Sequence, residues 1–212
     1  MQWPDAGQRA RDLLEGPAGV LECEIAAPES SPAGVAIVCH PHPQYAGTMD
    51  NKVVYTLMRS CLKSGLATLR FNFRGVGRSE GDYDAGRGET DDAAAAAEWL
   101  QRQQPGLPLL IAGFSFGAAV ALRLALRSAP AGLVTVAMPT NYFDSVASPG
   151  CPWLAVYGSG DDVIDADASM AALSALDDGP RIEVLDGAGH FFHGRLGEVD
   201  RLVAPFCAQH VS

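Results

Sequence analysis

The stretch Leu109-Leu110-Ile111-Ala112-Gly113-Phe114-Ser115-Phe116-Gly117-Ala118-Ala119-Val120-Ala121-Leu122 decides the fold. A short apolar run ends at Ala112 and an Ala- and Leu-rich run begins at Phe116, so a strand passes almost directly into a helix. So abrupt a junction requires a sharp turn, and Gly113 and Gly117, two positions either side of Ser115, relieve the clashes that such a turn creates. The serine at the corner is expected in a strained backbone conformation with its hydroxyl exposed above the sheet. Behind it the helix N-terminus presents a positive dipole end, and the backbone N–H of Phe116 can face a developing oxyanion.

Outward from this junction, β-rich apolar runs alternate with longer Ala- and Leu-rich runs, the pattern of parallel strands joined by crossover helices. After a hairpin turning at Gly16 to Gly19, strands are expected at Val20 to Ile25, Gly34 to Cys39, Ala67 to Phe73, Leu109 to Ala112, Leu133 to Met138, Trp153 to Tyr157 and Ile182 to Leu185. Helices are expected at Lys52 to Lys63, Asp91 to Gln103, Phe116 to Leu126, Ala166 to Leu176 and Leu196 to Ala208. For the second of these, Thr90 reads as the N-cap, with Asp91 and Asp92 favouring the dipole in the first turn. The class is α/β, and 212 residues suit one domain spanning 1–212.

Composition narrows the partners. Hydrophobic residues make up 48% of the chain, enough for a substantial core and too many for intrinsic disorder. The formal net charge of −10 repels phosphate backbones and anionic headgroups, which argues against nucleic acid and membrane partners. Cys23, Cys39, Cys61, Cys151 and Cys207 are widely spaced and contain no C-x-x-C pair, so they read as reduced thiols. With no secretory leader pattern at the N-terminus and no apolar run long enough for a bilayer, a cytoplasmic location is expected.

A serine hydroxyl is a weak nucleophile and needs a base to take its proton during attack. His190 is the candidate, in Asp186-Gly187-Ala188-Gly189-His190, a loop that leaves the last strand. The base needs a carboxylate to fix its tautomer, and Asp161 follows the strand at Trp153 to Tyr157 in Gly158-Ser159-Gly160-Asp161-Asp162. The order Ser115, Asp161, His190 is that of nucleophile, acid and base in α/β-hydrolases.

Over nearly its whole length the chain resembles the α/β-hydrolase superfamily, and within it a group of small bacterial serine hydrolases without a lid, of carboxylesterase type. The resemblance is carried by Cys39-His40-Pro41-His42-Pro43, Thr48-Met49-Asp50-Asn51-Lys52-Val53-Val54, Phe71-Asn72-Phe73-Arg74-Gly75-Val76-Gly77-Arg78-Ser79 and the serine junction. Ala46 departs from it where a second glycine beside Gly47 is expected. The resemblance implies an α/β-hydrolase fold with a mostly parallel central sheet, helices on both faces and no cap domain. It places a second oxyanion donor in the loop after Cys39. Pro41 and Pro43 have no N–H, which leaves His42 as the first choice, with Gln44 or Tyr45 behind it. It makes Asp161, three residues after Gly158, the orienting acid rather than Asp162. It also makes the Arg74 to Ser79 loop architectural.

Lids in this superfamily are inserted between the strands ending at Met138 and starting at Trp153, and only Pro139 to Pro152 stand there. An open cleft is expected, with Phe114, Phe116, Tyr142, Phe143, Phe191 and Phe192 either walling it or packing in the core. His40-x-His42 and His190-x-x-His193 supply metal-ligand types but at poor spacing, so no metal and no cofactor are expected. The spare acids near Ala166 are expected to cap its helix. The reading is a hydrolase for small-molecule carboxylic esters of small or medium acyl chains, acting through an acyl-enzyme. A thioesterase, an acyltransferase or a non-catalytic binding module on the same fold remain alternatives.

Overall fold

The computed structural model describes residues 1–211. A hairpin of β1 (Arg9–Gly16) and β2 (Gly19–Ala26) opens the chain, in register from Arg9 opposite Ala26 to Gly16 opposite Gly19. There follow β3 (Gly34–Cys39), α1 (Lys52–Lys63), β4 (Leu66–Phe71), α2 (Arg87–Gln103), β5 (Leu109–Phe114) and α3 (Phe116–Ser128). The second half adds β6 (Gly132–Val136), β7 (Trp153–Gly158), α4 (Ala166–Ser174), β8 (Arg181–Leu185) and α5 (Leu196–Gln209). All eight strands form one sheet in the order β1-β2-β4-β3-β5-β6-β7-β8, antiparallel at β1-β2-β4 and parallel from β4 onward.

Alternation along the strands divides the core in two. Val35, Ile37 and Ile111 face a cluster with α2 and α3, whereas Ala36, Val38, Leu110 and Ala112 face a second cluster with α1 and α5. Helices therefore cover both faces, and the central strands are buried throughout, as in a parallel sheet. The order runs β4, β3, then β5, so the chain reverses its direction of travel across the sheet at β3 and β5. Crevices that hold ligands form beyond the carboxyl ends of strands at such a switch point. Cys39, the last residue of β3, lies in register with Gly113 of β5, which puts the loop after Cys39 beside Ser115.

Several expected bounds need correction: the strand expected to run to Met138 ends at Val136, and the helix expected to run to Leu176 ends at Ser174. The second long helix begins at Arg87, not Asp91, and Thr90 is not its N-cap. Gly86, left-handed at φ 86°, caps it, and Glu89 reaches back to accept the N–H groups of Gly86 at 2.7 Å and Asp84 at 2.8 Å. Thr90 Oγ1 donates to Gly86 O within the helix. Asp91 and Asp92 serve ion pairs instead: Asp91 with Arg127 on the surface, and fully buried Asp92 with Arg74 at 2.8 Å. The strand expected to run to Phe73 ends at Phe71. It also carries a buried charge, Arg70, paired with buried Glu24 of β2 at 2.7 Å and donating to Met49 O at 2.6 Å. Breaking one partner of such a pair costs about 3–5 kcal/mol, so the pair locks the antiparallel edge to the segment before α1.

Candidate active site

Ser115 is the single residue between β5 and α3 and holds φ 56°, ψ −124°. A side chain at positive φ costs roughly 1–3 kcal/mol, and the surroundings enforce it. Ser115 N–H donates to Val136 O at 2.8 Å, tying the corner to β6. A Cβ on Gly113 would sit 2.2 Å from Gly117 O, and one on Gly117 would sit 2.3 Å from His40 O. Both glycines are thus required by backbone approach, and α3 can start directly against the loop that follows β3.

The loop after β8 carries His190 back over this corner. Its path depends on Gly158, where a Cβ would lie 2.1 Å from Ala188 O, and on Ser159, which bonds Asp186 at 3.0 Å and Gly187 N–H at 2.7 Å. The structure brings Ser115, His190 and Asp161 into one line: Ser115 Oγ is 3.0 Å from His190 Nε2, and Asp161 Oδ2 is 2.8 Å from His190 Nδ1. Burial works to raise the Asp161 carboxyl, but hydrogen bonds from His190 and from the Ile164 and Val163 N–H groups outweigh it and hold the group below the usual carboxylate range. An ionised Asp161 keeps the imidazole proton on Nδ1 and leaves Nε2 to accept from Ser115. Asp162 is exposed and outside this line, and Asp165 caps α4 through Ala168 N–H at 2.9 Å.

His42 stands where the loop after β3 bends into a short 3-10 turn, Pro43–Tyr45. Gln44 N–H is spent on His42 Nδ1 at 3.2 Å and Tyr45 N–H on His42 O at 3.1 Å, so both fallback donors are already bonded within the turn. Because Nδ1 accepts, Nε2 carries the proton and donates to Tyr83 Oη at 3.1 Å. The His42 ring also packs 4.8 Å from the Phe116 ring, so the side chains of the two candidate donor residues brace one another. Ala46 ends the turn in the left-handed region at φ 57°, which explains why glycine is expected there.

His40 has a structural task. It is fully buried, with Nδ1–H donating to Pro41 O at 2.6 Å and Nε2 accepting Phe73 N–H at 3.0 Å. Burial pushes its pKa down to about 3. Between that value and about 6.5 the unfolded chain binds a proton that the folded one refuses, so stability falls as pH drops, by up to about 1.4 kcal/mol per unit. Urea unfolding at pH 7 and pH 5 is expected to show a shallower pH dependence in His40→Gln than in the parent chain; equal slopes would contradict this assignment.

Ser115 opens into a cleft of about 390 Å³ lined by His42, Tyr45, Phe116, Tyr142, Ile164 and Asp165 among others. The Pro139 to Pro152 segment contains only the 3-10 turn Thr140–Tyr142 and forms one rim without covering the serine. Of the six aromatic residues expected nearby, Phe116 and Tyr142 wall this cleft, Phe114 and Phe192 are fully buried, Phe143 lies under Arg123, and Phe191 packs edge-on against His190. Among the described residues, no three His, Cys, Asp or Glu side chains gather as a metal-ligand set. The contribution of Tyr83 had no signal in the sequence, since it lies 41 residues from His42 in an irregular loop.

Comparison with known proteins places the chain in a family. The model of the X-Pro dipeptidyl-peptidase (S15) family matches residues 18–184. Protein RP471 of Rickettsia prowazekii is 36% identical over 202 residues, covering 90% of this chain and 85% of that one. An alpha-beta serine hydrolase homologue from Coxiella burnetii superposes with a TM-score of 0.90 at 38% identity, over 97% of this chain and 99% of its own. XC6422 from Xanthomonas campestris, a serine hydrolase without a lid, does so with a TM-score of 0.89 at 37% identity, over 95% and 93%. The chain belongs to the S15 family within the α/β-hydrolases, and it is a lid-less serine hydrolase.

Proposed function

We propose that this protein is a carboxylesterase for small and medium acyl chains, with Ser115, His190 and Asp161 as its triad. Ser115 Oγ attacks the ester carbonyl as its proton passes to His190 Nε2. The tetrahedral oxyanion is held by the N–H groups of Phe116 and His42. Phe116 is the first residue of α3 and has no intrahelical acceptor for its N–H, so that donor can serve the oxyanion. Collapse breaks the bond to the alkoxy group, which leaves as alcohol with the His190 proton. Water then repeats the sequence on the acyl-enzyme, with His190 as base, and releases the acid and Ser115.

The observation that carries this reading is the Ser115–His190–Asp161 line, at 3.0 and 2.8 Å, on the floor of an open cleft. A volume near the lower end of the roughly 300–1,000 Å³ typical of ligand pockets suits a small substrate. None of the five cysteines is in a disulfide, the Cys61 and Cys207 sulfurs lying 3.8 Å apart, which fits a cytoplasmic site of action. No helix among the described residues is long and apolar enough to cross a membrane.

Turnover of p-nitrophenyl esters from acetate to decanoate tests the reading. Burying one methylene contributes about 0.8 kcal/mol, at most about fourfold in rate per CH₂, so an open cleft is expected to give a shallow optimum at short to medium chains. No jump is expected as substrate passes its micellar limit, because no flap waits to open. Strict selectivity for one length, or strong interfacial activation, would contradict the open cleft. Turnover of Gly-Pro-p-nitroanilide at the ester rate would instead favour the peptidase activity that the family's name carries.

A further inference from the structure

Two hollows flank the reactive line, and their linings differ in chemistry. The cleft described above is lined by Ser115 and by Phe116 and His42, the two proposed oxyanion donors. The other, about 430 Å³, is lined by His190, Phe191, His193 and Arg195. The proposed mechanism has His190 hand its proton to the departing oxygen, so the leaving group lies on the His190 side. The acyl group then occupies the first cleft.

That cleft has the makings of a cation site. The half-buried rings of His42 and Tyr142 line it, with centroids 6.4 Å apart, and the Tyr45 ring, 83% exposed, stands 4.8 Å from that of His42. Asp165, from the segment between β7 and α4, is the one charged side chain of the lining. Arg123 is turned to the Tyr142 carbonyl and the Phe143 ring and is not part of the lining. A net charge of −10 adds a field that draws cations and repels anions. Tyrosine faces that line one cleft with a carboxylate are the chemistry that recognises substituted ammonium groups, and Asp165 spends only Oδ1 on the Ala168 N–H.

We infer that the cleft in front of Ser115 binds an acyl group ending in an organic cation of the substituted-ammonium class, held by the rings of Tyr45, His42 and Tyr142 and by the carboxylate of Asp165. The covalent step rests on the esterase reading above; the binding of the cation does not.

Two isosteric esters separate charge from size: p-nitrophenyl 4-(trimethylammonio)butanoate, and p-nitrophenyl 5,5-dimethylhexanoate, in which carbon replaces nitrogen. The parent enzyme is expected to favour the cationic ester in kcat/KM by about tenfold at low salt, and less at high salt. Asp165→Asn keeps an effective N-cap for α4 and removes only the charge. It is expected to bring the ratio of kcat/KM for the cationic over the neutral ester down from about ten towards one, since charge is what changes. Equal or better turnover of the neutral ester by the parent, or equal losses on both esters in Asp165→Asn, would overturn the inference. If neither ester is cleaved, the esterase reading fails, and tetraethylammonium chloride against sodium chloride in calorimetry decides the cation site separately. Saturable binding that weakens in Asp165→Asn supports it, and its absence refutes it.

Discussion

Ser115→Ala is expected to lower kcat on p-nitrophenyl butyrate on the order of 10⁶-fold while the protein stays folded. Its hydroxyl is the group that forms the acyl bond in the proposed mechanism, and it stands 3.0 Å from His190 Nε2. Stability is expected to change by no more than about 1 kcal/mol, the value of one ordinary hydrogen bond. Alanine has the same Cβ as serine, so the strain at φ 56° is unchanged, and Ser115 N–H still reaches Val136 O. Steady-state kinetics beside thermal unfolding checks both halves. Near-parental turnover in a folded variant would move the nucleophile elsewhere.

Asp161→Asn is expected to reduce kcat by about 10⁴-fold, because an amide in this place enforces the wrong imidazole tautomer. The Asn carbonyl can still accept the Val163 and Ile164 N–H groups that Asp161 Oδ1 now holds, so its NH₂ would face His190 Nδ1. That leaves the proton on Nε2, where it cannot accept from Ser115. Asp162→Asn, one residue on, alters an exposed side chain outside the line and is expected to stay within about twofold, as surface substitutions usually do. A larger loss in Asp162→Asn would reassign the acid.

What the sequence revealed, and what it concealed, follows the range of the interactions. The bounds of α1 are readable at Lys52 and Lys63 because Asn51 caps it locally through Val53 N–H. The serine corner is readable because its two glycines answer a local steric demand, and Asp161 and His190 because each follows a strand in a loop of small residues. The start of α2 is not readable: its cap is a left-handed glycine and a glutamate reaching backward, while Thr90 imitates a cap and bonds inside the helix. Arg70 in an apolar strand makes sense only once Glu24, 46 positions away, lies beside it. The bracing of His42 by Tyr83 and Phe116 is of the same non-local kind. The resemblance names the loop after Cys39, whereas the bonds that occupy the Gln44 and Tyr45 N–H groups within it are visible only in the structure.

The proposal as a whole depends on Ser115 being the activated nucleophile, and covalent capture tests that most directly. The purified protein is expected to react with a fluorophosphonate probe to one equivalent, losing ester hydrolysis in step with labelling. Mass spectrometry of the digested adduct is expected to place the phosphonyl group on the peptide containing Gly113-Phe114-Ser115-Phe116-Gly117 and nowhere else. An active enzyme that resists the probe, or an adduct on a different residue, would contradict the account.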